Sequence, residues 1–302
     1  MGGRIVVSLD FELRWGVYDV LGDDPSRYRR HLEGVREVVP RLLERFERLG
    51  VPATWATVGA VACEGWDEFE ARAPACPPYD DPRLRRTSAY RAVDPDGRLH
   101  FAPELVAMVR AARGQELGSH TFAHVYLREP GVRRQDAEAD ADAVVRLFAD
   151  RWGEVPRSFV FPRNQVAFTD VLAARGIRVW RTNPRPFWWA EGSAASRSRL
   201  GRALRLVDAL GPLGRRARPE AEHRASHFLR LALPGPAWRL HARRIARDAA
   251  RMRPGEVLHL WAHPHNLGDD PALRVARFGE VLERALAAAP AGTTFAPMGA
   301  LA

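Results

Sequence analysis

Arg4-Ile5-Val6-Val7-Ser8-Leu9-Asp10 is a short β-branched run that ends in a carboxylate, with a second carboxylate at Glu12. Such a run reads as a buried strand that delivers a side chain at its C-terminal end. Alternate residues of an extended segment face the same way, so Asp10 and Glu12 share a side. Working outward, apolar residues recur at helical spacing from Tyr28 to Leu49, closed by Gly50 and Pro52, and Ala53–Val58 is a second strand. A helix over Pro103–Arg113 leads into a third strand, Gln115–Ser119, which delivers His120. Further on come a helix (Val132–Trp152), a strand (Ser158–Pro162), a short helix (Phe168–Arg175) and a strand (Ile177–Arg181). The chain then continues through a helix (Trp238–Met252), a strand (Val257–His263), a helix (Pro271–Ala288) and a last strand (Thr293–Phe295).

About seven strands alternating with helices predict a parallel α/β sheet or barrel. In a (β/α) barrel catalysis sits at the C-terminal ends of the strands, so Asp10, His120, Arg163 and His263 can converge although far apart in sequence. At 302 residues the expectation is a single catalytic domain over 1–302. Two stretches break the alternation. Residues 63–100 read as a long loop, and 187–236, rich in arginine, proline and glycine, as an insertion or lid.

The formal charge of +9 would ordinarily point to an anionic partner, but all 46 basic residues are arginine and none is lysine, a bias that fits a GC-rich genome. No interleaved aromatic and basic motif accompanies the charge, so no nucleic-acid partner is expected. Cys63 and Cys76 are too few for a disulfide framework and lack zinc-clip spacing. The apolar start is too short for a secretion signal, which predicts a cytoplasmic location, and no apolar run is long enough for a spanning helix.

Three segments carry chemistry. Glu116-Leu-Gly-Ser-His-Thr-Phe-Ala-His124 begins where a strand ends, and a helical turn would put His120 and His124 on one face, within reach of one ion. Two imidazoles leave a divalent ion short of ligands. Of Asp10 and Glu12, one can ligate while the other stays free as a base, the division that metal-assisted hydrolysis of an amide or ester requires. In Leu258-His-Leu-Trp-Ala-His-Pro-His-Asn266, His263 could protonate a leaving group opposite that base, with His265 a competing acid. His259 lies deeper along the strand and suits a structural hydrogen bond. Arg163, in Phe159-Val-Phe-Pro-Arg-Asn-Gln165, is suited to orienting Asp10 or holding a substrate oxyanion.

In this order the motifs resemble the polysaccharide deacetylases with a NodB-like domain, carbohydrate esterase family four, from Ser8 to His265 apart from the insertion. That resemblance implies a distorted (β/α) barrel of seven strands and a divalent metal, usually zinc. It implies Asp10 as base, His120 and His124 as ligands, and His263 as general acid. Phe11 stands where the family often has a second aspartate, so the carboxylate ligand would be Glu12. Arg163 follows Pro162, whereas the family's arginine commonly precedes that proline. The implied reaction is removal of an N-acetyl group by an activated water, with a backbone amide near Thr121 or Phe122 at the oxyanion. Expected substrates are an N-acetylated sugar, a glycan, or a lipid-linked or nucleotide-sugar precursor. Arg215, Arg216 and Arg218 could hold a phosphate or touch an anionic membrane. The alternatives are hydrolysis of a small cyclic amide or ureide, as in allantoin-hydrolysing relatives, and a non-catalytic carbohydrate-binding pseudoenzyme.

Overall fold

In the computed structural model, β1 (Arg4–Phe11) is buried along seven of its eight residues, as a strand covered on both faces must be. It runs parallel to β2 (Thr54–Thr57), which continues parallel through β3 (Glu116–Ser119), β4 (Ser158–Phe159) and β5 (Val179–Trp180). The structure describes residues 2–22, 24, 26, 28–86, 89–184, 186–189, 198–211 and 217–302.

Closure comes from a segment that the sequence reading assigned to the insertion. After the short antiparallel strand β6 (Arg218–Pro219), the chain forms β7 (His227–Phe228), parallel to β8 (Glu256–Ala262), which in turn pairs with β1. Just before β7, Arg224 bridges Thr182 at the end of β5. Thr182 N–H donates to His223 O at 2.9 Å and Ala225 N–H to Thr182 O at 2.8 Å. The circuit β1-β2-β3-β4-β5-β7-β8 is therefore a distorted (β/α) barrel of seven parallel strands. Its membership corrects the expectation. The last strand, β9 (Thr294–Ala296), takes only the lower edge of β1, and β7 is the stave that closes the ring.

Residues 63–100 also differ from expectation. They contain the helices Trp66–Arg72 and Ala89–Val93, and Trp66 and Phe69 are buried in the main core beside Trp15. The spacing of Trp66 and Phe69, three apart on one helical face, lets so short a helix anchor itself. The expected helix over 28–49 is divided at Gly34 into Arg29–Glu33 and Val35–Leu49. A Cβ on Gly34 would lie 2.1 Å from Gly268 O, so glycine permits the close approach that brings this segment against the loop after β8.

The barrel interior is layered by the two-residue period of the strands. Val6, Ala56, Val179 and Val257 form an apolar floor with Met298 and Leu301. Above it His259 Nε2 lies 2.8 Å from Ser8 Oγ, and higher still are Asp10 and His263. The other face of β1, through Ile5, Val7, Leu9 and Phe11, packs on the helices Val35–Leu49 and Pro271–Ala288.

Candidate metal centre and active site

Asp10, Glu12, His120 and His263 stand at strand ends. Asp10, near the end of β1, is 3% exposed and is gripped by Arg181, the residue after β5. Nη1 and Nη2 donate to Oδ1 and Oδ2 at 2.8 and 2.7 Å, a two-pronged ion pair. Arg181 also donates to Ser8 Oγ and Asn164 Oδ1, both at 3.0 Å, and its guanidinium stacks 4.2 Å over the Trp261 ring. Burial alone would raise the Asp10 carboxyl, but the Arg181 charge and hydrogen bonds outweigh it and hold Asp10 below the usual carboxylate range.

Arg163 does not take this position, which corrects the sequence expectation for orienting Asp10. It and Asn164 both have φ of 52°, and this left-handed turn carries the Arg163 side chain outward. There it pairs with Asp19, and with Glu129 at 2.9 Å, while stacking 4.0 Å over Tyr126. The sequence did carry a signal for Arg181, because it ends an expected strand just as Asp10 does.

Glu12, His120 and His124 converge, with one potential ligand atom from each lying within 4.8 Å of the others. Glu12 Oε2 is 3.0 Å from Nε2 of both histidines. The histidines meet through a tight turn in place of the expected helical one, with Thr121 and His124 at φ of 66° and 55°. His120 Nδ1–H donates to Val160 O at 2.7 Å, so a neutral His120 ring would turn a bare Nε2 to the Glu12 carboxylate. Two such electron-rich atoms at 3.0 Å repel unless a cation or proton lies between them, and burial opposes the proton on His124. Two imidazoles and a carboxylate are also a familiar donor set for a hydrolytic divalent ion, so the residues fit a metal. Burial would raise Glu12, yet His263, His124 and His120 together hold it well below the ordinary carboxylate range.

His263, just past β8, lies between the two carboxylates, with Nε2 3.7 Å from Asp10 Oδ2 and 3.6 Å from Glu12 Oε1. Tyr28 O–H donates to Asn266 Oδ1 at 2.6 Å, which orients the Asn266 amide so that Nδ2–H faces His263 Nδ1 at 3.2 Å. Neutral His263 therefore carries its proton on Nε2, toward the carboxylates. Its side chain is 22% exposed, whereas His265 is buried and its imidazolium form is disfavoured by burial and by His263, to a pKa of about 3. The sequence offered no signal for Tyr28 or Asn266, whose roles depend on the loop contact at Gly34.

The Phe122 N–H is committed to Asp140 Oδ2 at 2.9 Å, which leaves Thr121 of the two amides considered for the oxyanion. Of the three arginines considered for phosphate, Arg215 and Arg216 lie outside the described residues. Arg218 pairs opposite Val257 at the start of β8, the end of the barrel away from the site.

Neither a family model nor a curated protein sequence matches this chain. A protein from Mycobacterium smegmatis assigned as a polysaccharide deacetylase has a similar solved structure, with a TM-score of 0.53 over 99% of this chain and 88% of that one, at 17% identity. The chain has the polysaccharide deacetylase fold. A chitin deacetylase from the fungal pathogen Colletotrichum lindemuthianum is similar at a TM-score of 0.49 and 12% identity, over 100% of this chain and 88% of that one. A CE4 family pseudoenzyme from Bacillus anthracis is similar at 0.46 and 12% identity, over 99% of this chain. This chain spans 64% of the length of that pseudoenzyme. Within the polysaccharide deacetylase fold found here, the carboxylates and histidines cluster where a (β/α) barrel carries its chemistry.

Proposed function

We propose that the protein is a metal-dependent hydrolase that removes an N-acetyl group from a sugar or glycan precursor. The observation that carries this reading is the convergence, at one barrel mouth, of the Glu12-His120-His124 donor set with Asp10 and the partly exposed His263. A divalent ion held by Glu12, His120 and His124, most naturally zinc for this donor set, would supply Lewis acidity to the amide carbonyl and acidify the attacking water.

The chain's own residues supply the proton transfers. Asp10, kept ionised by Arg181, accepts the proton of the attacking water as the new C–O bond forms. The Thr121 N–H supports the charge that develops on the carbonyl oxygen. As the C–N bond breaks, His263 hands its Nε2 proton to the nitrogen and takes in exchange the proton that Asp10, 3.7 Å away, accepted from the water, so the ring stays neutral as the amine and acetate are released. Phe228, partly exposed, stands beside the His263 ring with a centroid separation of 5.5 Å, and such an aromatic wall suits the apolar face of a sugar ring. A lipid-linked or nucleotide-sugar precursor is the substrate class in view.

The test measures bound metal and acetate release from N-acetylglucosamine oligomers and precursors. Stoichiometric metal is expected, with turnover lost on chelation and both metal and turnover lost in His120→Ala. Turnover insensitive to chelators would overturn the mechanism. Ring opening of a cyclic ureide without acetate release would assign the amide class differently, and metal binding without turnover on any substrate would leave a carbohydrate-binding protein.

A further inference from the structure

We propose that the outer face of the helices Arg199–Leu210 and Gly235–Ala250 docks on an anionic lipid bilayer. The first helix is amphipathic in the reverse of the usual sense. Its Asp208 points inward, 2% exposed, and accepts the indole N–H groups of Trp188 and Trp189 at 3.0 and 2.9 Å. Its apolar residues face out instead, with Leu200 65%, Val207 53% and Leu206 41% exposed. Leu200 and Val207, two turns apart, fall on one face. The second helix is tied to the first through His241 Nδ1 and Ala209 O at 2.9 Å, and it adds Leu240, 49% exposed. These are four of the nine large apolar side chains exposed among the described residues, so the exposure is concentrated here.

The charge around this face selects the occupant. Asp208 and Asp248 are the two carboxylates in these helices, and both are buried. Arg239, Arg243 and Arg247 are exposed without a carboxylate partner among the described residues. Leucines flanked by unpaired arginines match a surface that offers acyl chains and phosphates together. A second copy of the chain would bring like charges face to face, which disfavours it as the occupant. No helix of the described residues is long and apolar enough to cross a membrane, so the contact is a peripheral one.

The helix Gly235–Ala250 leaves the C-terminal end of β7 and returns to the start of β8, so Arg239 and Leu240 sit at the same end of the barrel as the metal centre. Docking through them brings the barrel mouth to the lipid surface. The docking itself does not depend on the deacetylase reading.

The full chain is sedimented with vesicles of phosphatidylcholine alone and of phosphatidylcholine mixed with phosphatidylglycerol. Binding to the anionic vesicles and not to the zwitterionic ones is expected. Partitioning should weaken roughly tenfold or more in Val207→Glu with Leu240→Glu, and in Arg239→Gln with Arg243→Gln, with thermal melting unchanged. If the glutamate pair fails to fold, Leu200→Ser, at the most exposed of these positions, replaces it. Three results would overturn the proposal: no sedimentation with anionic vesicles, sedimentation that these variants retain, or a dimer in light scattering that Leu240→Glu dissolves.

Discussion

A carboxylate as deeply buried as Asp10 stays ionised only with a matched cation, and the two prongs of Arg181 meet that need. Arg181→Gln is expected to destabilise the fold by about 3–5 kcal/mol, because it strands a buried charge. Where the variant folds, kcat should fall more than KM rises. Arg163 is itself a third exposed but pairs with Asp19 and Glu129, which are 8% and 11% exposed, so Arg163→Gln should cost about 1–3 kcal/mol of stability while leaving kcat little changed. Thermal melts and steady-state acetate release on the two variants distinguish these roles. Asn266 acts through His263, and Asn266→Ala frees the Nδ1 that it now faces. The expected outcome is a loss of about tenfold or more in kcat with KM little changed, not recovered in Asn266→Asp, whose carboxylate can accept from Tyr28 but cannot donate to Nδ1 and would draw the ring proton away from Nε2. The residue types were legible in the sequence because a carboxylate or imidazole at a strand end is a local pattern. The choice between Arg163 and Arg181 was not, because it depends on which side chain reaches across the barrel.

Among the elements, the turn from His120 to His124 departs most from its sequence pattern. A β-branched residue at positive φ, as at Thr121, is held only where its surroundings over-determine it. Here the Asp140 carboxylate, from the helix Arg134–Trp152, accepts the N–H of Phe122 at 2.9 Å and reaches that of Ala123 at 3.4 Å. Thr121 Oγ accepts the N–H of Val125 at 3.0 Å. Asp140→Ala leaves buried amide donors unmet, at about 1–3 kcal/mol each. Through the loosened turn it should weaken zinc affinity by about 10–100-fold, measured by calorimetric titration, with Asp140→Asn recovering part of both losses. The helix Pro271–Ala288 was legible residue for residue, because its apolar period is long and its Asp270 cap is local. β7 has two residues, too few for a period to register, and exists through its partners, whereas β4 and β5, equally short, were legible from the longer apolar runs that contain them.

At the scale of the whole molecule, buried histidines set the response to acid. Burial lowers His259 to about 3 and His241 to about 4, against an ordinary value of about 6.5. Between those values the unfolded chain binds the protons, so stability falls as pH drops from about 6.5 toward 4. Asp140, raised to about 6 by burial, acts in the opposite direction over a narrower window. The expected net result is a melting temperature that declines steadily below pH 6.5, and a melting temperature that rises over this range would refute it. The alternation of strands and helices, the strand-end carboxylates and the paired histidines were determined by the sequence alone, since each rests on spacing within a few turns or residues of chain. Tertiary structure decided the ring closure through β7, the pairing of Asp10 with Arg181 and the outward apolar face of Arg199–Leu210. Each of these depends on segments far apart in the chain meeting in space, where the partner, and not the local pattern, determines which side chain is buried and which is left facing solvent.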